Sequence, residues 1–182
     1  MLFLGLLELP GLLTTAEPEP LPVYAEPKAG TPKAVLRSSK DIPTEEYDSD
    51  ARGAFVLKRS SGWALIRLKD GAGWVSPERA GAFHAYEELV TGHRSYLTPD
   101  WDGRIWTKPG GKSDAKVLAM DAADNKPVKV LRAKRVRKGL WFELSLLTHV
   151  CESIEPEVVA EGWIPAYSAS GEPTVWFSSR GC

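Results

Sequence analysis

The sequence predicts an all-β chain built from two related small units in tandem. Three observations carry this. A segment near the start returns in the second half; Gly-Trp strands follow it in the same order in both halves; and the chain is rich in turn formers, with 14 Pro and 16 Gly among its 182 residues. At 43% hydrophobic and 26% charged residues the body is globular rather than disordered. The formal net charge is −1, which favours neither a nucleic-acid binder nor an acidic tail protein. Two Cys exclude a disulfide-dense mini-scaffold and a four-Cys zinc site. The length also argues against a catalytic barrel of about 250 residues.

Residues 1–13 (MLFLGLLELPGLL) are mostly Leu, too few to span a membrane as a helix but similar to the apolar core of a secretory signal. Thr14-Thr15-Ala16 supplies small residues for a cut, and AEPEP then opens an acidic, Pro-rich linker. Glu8 inside the run and the missing basic flank depart from that pattern. A strand or helix of the fold itself is the other reading. Residues 1–20 are therefore set apart as a signal-like segment and linker, with no integral membrane segment expected in the mature chain. No Cys follows the cut, which argues against a lipid anchor.

The repeat begins with VYAEPKAGTPKAVL (23–36) and IWTKPGGKSDAKVL (105–118), which align without a gap. Val23 meets Ile105, Tyr24 meets Trp106, Pro27 meets Pro109, and Val35-Leu36 meets Val117-Leu118. Each copy reads as a short strand, a Pro/Gly loop and another strand. A second block follows: Gly62-Trp63-Ala64-Leu65-Ile66-Arg67-Leu68, the turn Asp70-Gly71 and Gly73-Trp74-Val75 in the first half. Gly139-Leu140-Trp141-Phe142-Glu143-Leu144 and Gly162-Trp163-Ile164 answer in the second. The Trp141–Trp163 spacing is double that of Trp63–Trp74, so an insertion near 148–161 is expected. The first unit spans 21–90 and the second 91–182.

Within the units, Phe55-Val56-Leu57 and Leu65–Leu68 suit strands, and Val128-Lys129-Val130 alternates. Residues 78–90 hint at a short helix, with Phe83, Tyr86, Leu89 and Val90 at helical spacing, expected either to pack between the units or to form the link.

A strand with a Pro/Gly loop, then a Gly-Trp strand, a turn and Gly-Trp-Val/Ile resembles the bacterial SH3 domain family. The copies here are VYAEPKAG…GWALIRLKDGAGWVSP and IWTKPGGK…GLWFELSLL…EGWIPA. The first matches more closely; the second departs through its insertion and a long basic hairpin. The resemblance implies two small SH3-like barrels of five to six strands in tandem, often exported. It also implies no catalytic residues of their own, and a role in targeting a partner enzyme to the cell wall or in binding peptides.

Trp63, Trp74, Trp141 and Trp163 recur at matching places and are expected to pack in the core or on the barrel face. Gly62, Gly73 and Gly162 precede a Trp and allow bends or bulges. Ligand contacts are expected instead at Tyr24, Tyr47, Trp101 and Trp106, aromatic residues on or beside loops. Asp100-Trp101-Asp102 suits a sugar contact or simply a turn before the Ile105 strand. Seven basic residues between Lys126 and Lys138 fit an anionic partner, or a solvated hairpin with Val128, Val130, Val136 and Leu140 inward. The acidic stretch 41–50 around Tyr47 is expected to be a mobile solvated loop.

No pair among His84, His93 and His149 has metal-ligand spacing. His149 stands near Cys151, but closeness along the chain is not what a Cys-His nucleophile requires. No catalytic residue, metal or cofactor is expected. In an oxidising compartment Cys151 and Cys182 are a candidate disulfide that would tie the insertion to the C-terminal strand. The expected function is a non-enzymatic module of the bacterial cell envelope, periplasmic or secreted. It would bind cell-wall polymer (peptidoglycan) or a protein or peptide partner, and no nucleic acid. The alternative is an accessory or assembly subunit that positions an envelope enzyme.

Overall fold

The computed structural model describes residues 11–14, 20–36, 42, 44–48, 51–111, 114–118, 126–136, 139–149 and 155–178. The chain is mostly β, and it divides into two compact units, Met1–Leu89 and Val90–Cys182.

The first unit holds β1 (Gly11–Thr14), β2 (Leu21–Val23), β3 (Ala34–Leu36), β4 (Thr44–Asp48), β5 (Ala51–Ser60), β6 (Trp63–Leu68), β7 (Gly71–Val75) and β8 (Phe83–Ala85). One sheet runs β7-β6-β5-β1-β8, with β4 also on β5. The β2–β3 hairpin joins β7 through a bridge in which Tyr24 and Trp74 exchange both backbone hydrogen bonds, 2.8 and 2.9 Å long. The short helix α1 (Tyr86–Gly92) lies at the division between the units.

The second unit holds β9 (Arg94–Leu97), β10 (Arg104–Trp106), β11 (Ala115–Val117), β12 (Pro127–Val136), β13 (Gly139–Leu147), β14 (Val158–Pro165) and β15 (Val175–Ser178). These form one sheet in the order β11-β10-β14-β13-β12-β9-β15. Among the described residues neither sheet closes on itself.

With the Tyr24–Trp74 bridge counted as a junction, the first unit reads β3-β2-β7-β6-β5-β1-β8. Strand for strand, this is the order of the second unit. The hairpins even share their register: Val23 faces Ala34 and Pro22 faces Val35, as Ile105 faces Lys116 and Arg104 faces Val117. A β-bulge interrupts β5 between Val56 and Lys58, and another interrupts β12 between Val130 and Arg132. The bulged residues are Leu57 and Leu131, and both are exposed. A bulge adds one unpaired residue and sharpens the local twist, so both long hairpins bend at the same place.

This order gives β1 a definite role. Gly11–Thr14 pairs with β5 on one side and β8 on the other, as β9 pairs with β12 and β15. The end of the signal-like segment is thus a strand inside the first sheet, and a cut at Thr14–Ala16 would remove it.

The alternation along each strand sets the core. In the first unit Val23, Ile42, Ala54, Val56, Ala64, Ile66 and Val75 form one buried cluster. In the second, Val128, Val130, Leu140, Phe142, Leu144, Leu146 and Ile164 are buried along β12–β14. Burying apolar area on one face of each sheet is the main favourable term, at roughly 25 cal/mol per Å².

Three expectations change. Helix α1 is confined to Tyr86–Gly92, because Phe83–Ala85 is drawn into β8 by pairing with β1. The stretch expected as a solvated loop includes β4, whose backbone pairs with β5. Val136 is only half-buried, because the Leu131 bulge moves the far half of β12 out of phase with Val128 and Val130. The insertion lengthens the β13–β14 hairpin: Leu147 still pairs with Val158, whereas the matching β6–β7 pairing ends at Leu68 and Gly71.

Candidate functional site

Residues directly opposite across antiparallel strands share a face. On β6 and β7, Ala64 opposes Val75 and Ile66 opposes Gly73, toward the core. Leu65 opposes Trp74 on the other face, and Tyr24, the residue after β2, opposes Trp74 through the isolated bridge. On β13 and β14, Phe142 opposes Ile164 toward the core, while Glu143 opposes Trp163, and Trp106 opposes Trp163 from β10. The Gly-Trp aromatics therefore lie on the sheet face opposite Ala64, Ile66 and Phe142.

Two kinds of Trp follow. Trp74 and Trp163 are buried at 8% and 5% exposure. Trp63 and Trp141 are half-exposed, and each meets the loop aromatic of its own unit edge-on. The Tyr24 and Trp63 rings stand 5.2 Å apart at 88°. The Trp106 and Trp141 rings stand 6.4 Å apart at 82°. Edge-to-face pairs at 4.5–7 Å are the favoured aromatic geometry. Each pair leaves part of two rings facing solvent beside a Pro/Gly loop, an arrangement suited to stacking on a sugar or gripping a peptide.

The glycines before the Trp residues make this geometry fit. A Cβ on Gly162 would stand 2.5 Å from Ile105 Cγ2 and 2.7 Å from the Trp106 carbonyl oxygen, and its φ is +151°. A Cβ on Gly73 would stand 3.0 Å from Val23 Cβ. Val23 and Ile105 are the aligned residues of the repeat, so each glycine admits the strand that carries the loop aromatic. At the far end, Ser61 and Gly62 both have positive φ, which suits the tight β5–β6 hairpin turn.

The loops and flanks differ between the units. In the second, the Pro109-Gly110-Gly111 turn lies on its platform: a Cβ on Gly111 would meet Trp141 at 3.6 Å, and one on Gly110 would meet Val136 at 3.3 Å. In the first, residues 25–31 are exposed, and nothing lies within 4 Å of a Cβ on Gly30. There Lys28 pairs with Glu26 at 2.6 Å. The hydrogen bond and the charge of Lys28 hold the Glu26 carboxyl below its ordinary range and raise the ammonium. In the second unit Arg132 forms a two-bond salt bridge with Glu143, and its guanidinium lies 5.3 Å over the Trp163 ring. The Glu143 hydrogen bond and charge raise the guanidinium further.

Of the residues expected to bind ligand, Tyr24 and Trp106 occupy matching positions in the two pairs. Trp101 is placed differently: its indole N–H donates to the Arg104 carbonyl at 3.1 Å, and the Arg104 N–H donates to Asp102 Oδ1 at 3.1 Å. That makes Trp101 part of the turn before β10. Tyr47 lies in β4, at the register shift between Glu46 and Asp48. Cys151 and Cys182 lie outside the described residues. His84 sits in β8 of the first unit, while His93 tilts against Phe177 in the second at 5.1 Å. Among the described residues no group of three His, Cys, Asp or Glu side chains could hold a metal ion, and no helix is long and apolar enough to cross a membrane.

Reading the residues alone did not pair Trp63 with Tyr24 or Trp141 with Trp106. Their repetition was visible and pointed to packing; their meeting with Tyr24 and Trp106 depends on strands distant in sequence. Comparison with family models, curated proteins and solved structures finds no match to the chain.

Proposed function

We propose that the chain is a non-enzymatic binding module of the bacterial cell envelope, with two SH3-like barrels in tandem. Each barrel presents one aromatic pair to cell-wall polymer (peptidoglycan). The observation that carries this reading is the recurrence of the edge-to-face pair in both units, Tyr24–Trp63 and Trp106–Trp141, half-exposed and beside a Pro/Gly loop. A pair of rings held by sheet on one side and open to solvent on the other offers a pre-formed surface at little ordering cost. Two such surfaces on one chain suit a repetitive polymer, because the second contact is made at raised effective concentration.

The envelope placement rests on the apolar start of the sequence and on the family resemblance. In this reading the folded protein keeps β1, since β5 and β8 both pair with it. N-terminal sequencing of the protein recovered from the envelope tests both points.

The binding test is co-sedimentation of the full chain with purified peptidoglycan. Tyr24→Ala and Trp106→Ala are each expected to weaken retention, and together to abolish it. Retention unchanged in the double variant, with the fold intact by circular dichroism, overturns the reading. A second reading, an accessory subunit that positions an envelope enzyme, has its own support. Val35 on β3 and Val117 on β11 are exposed at aligned places on the outer strands of the two units. Exposed edge strands are where an extended partner segment can add.

A further inference from the structure

The Pro/Gly loops of the two units align without a gap and fold differently. Lys28 and Ala29 in the first take the places of Gly110 and Gly111 in the second. Gly110 and Gly111 have φ of +108° and +66°, a region that residues with a side chain rarely enter. Two such residues in succession turn the chain back over the sheet. The turn comes to rest on the aromatic pair. A Cβ on Gly111 would stand 3.6 Å from Trp141 Cη2 and 3.9 Å from Cζ2, and Pro109 and Gly110 are half-buried. Among the described residues Ser61 is the only non-glycine with a positive φ, so Lys28 and Ala29 stay outside that region. The first loop closes on itself instead. The Lys28 backbone N–H donates to the Glu26 carbonyl at 2.8 Å, and the two side chains pair at 2.6 Å. Every residue from Ala25 to Thr31 is exposed.

We infer that the Pro109-Gly110-Gly111 turn is a cap on the second unit's aromatic pair, and that the uncapped Tyr24–Trp63 pair is the chain's primary sugar-binding site. The inference rests on the proposed function and deepens it, since it names the pair that ligand meets first. A sugar ring stacks only on bare aromatic surface, and part of the Trp141 indole is taken by the turn. Ligand gains that surface after the turn lifts. The apparent affinity then falls with the fraction of molecules in which it has lifted. The exposed first loop imposes no comparable cost. Gly110 and Gly111 are therefore specificity-determining positions: the rings match, and the loop decides which unit engages at low ligand concentration.

The test uses the full chain and a soluble N-acetylglucosamine oligosaccharide, with binding followed by titration calorimetry. Tyr24→Ala leaves the capped pair and is expected to weaken binding by about tenfold or more; Trp106→Ala leaves the uncapped pair and is expected to weaken it by about threefold or less. Gly110→Lys/Gly111→Ala installs the first loop's residues. Added to Tyr24→Ala, it is expected to recover most of the loss. Equal losses in the two single variants, or no recovery on the glycine exchange with the fold intact by circular dichroism, overturn the cap and leave the two pairs as equals. A ligand-free measurement separates the cap from the proposed function. NMR cross-peaks between Gly111 and the Trp141 ring are expected in the natural protein and are expected to vanish in the glycine exchange. Their absence from the natural protein overturns the cap, whatever the calorimetry shows. If they are present and the natural protein does not bind the oligosaccharide, the primary-site assignment falls together with the proposed function.

Discussion

The Trp74 and Trp163 rings occupy the same slot in the two units, under different covers. Leu65 opposes Trp74 across β6–β7, whereas Glu143 opposes Trp163 and draws Arg132 over the ring. Both rings are buried, at 8% and 5% exposure. An apolar side chain and the planar head of a paired arginine can thus seal the same aromatic surface, because the guanidinium stacks on a ring while its charge is met by a carboxylate. The difference teaches that the repeat preserves shape and leaves charge free to diverge. The same divergence places Lys134 where the first unit has Ser60.

The comparison breaks most decisively at β1. Removing residues 1–16 from the full chain takes away the strand that occupies the place of β9. The first unit is expected to lose most of its stability, on the order of 5 kcal/mol, while the second keeps its own unfolding transition. Hydrogen exchange resolved by segment checks this; unchanged protection across β5 and β8 would show that β1 is not the counterpart of β9.

A smaller effect comes from the glycines. Gly162→Ala is expected to destabilise by about 3 kcal/mol, since its Cβ would press on backbone and on Ile105 at a φ of +151°. Gly73→Ala, with only the Val23 side chain at 3.0 Å, is expected to cost about 1–2 kcal/mol. Denaturant titration of the two variants ranks them, and the reverse order refutes the close approach of β10 to β14.

The aromatic platforms come next. Trp141→Ala removes the support of the Pro-Gly-Gly turn and is expected to cost about 2 kcal/mol; Trp63→Ala, under a more open loop, about 1 kcal/mol. Equal losses in thermal unfolding would mean that the second loop gains nothing from its platform.

The smallest effect is electrostatic. Because Lys28 lowers the Glu26 pKa in the folded chain, the contribution of this pair is present above the unfolded carboxyl's range and fades as pH falls through the lowered value. Both side chains are solvent-exposed, so the change in stability is expected to be slight. NMR titration should place the Glu26 midpoint below that of an ordinary glutamate and return it upward in Lys28→Ala. An unshifted midpoint in the natural protein removes the pair from the comparison of the two loops.

By itself the sequence determined the β class, the repeat, the two Gly-Trp strands of each unit and the loop aromatics Tyr24 and Trp106. These follow from local pattern: alternation, turn residues and an alignment without gaps. The tertiary structure decided the rest, because each remaining feature depends on strands far apart in the chain. Gly11–Thr14 read as part of an apolar leader until pairing with β5 and β8 made it a strand. The acidic stretch read as a loop until β4 paired with β5. The contacts of Trp63 with Tyr24 and of Trp141 with Trp106 depend on the bridges Tyr24–Trp74 and Trp106–Trp163, which no local pattern reveals. Lys134 read as one charge in a basic run until the Leu131 bulge set its register against Trp141. A strand's side chains alternate with period two, so a single bulged residue decides which of them share a face, and that residue is recognisable only once its partner strand is in place.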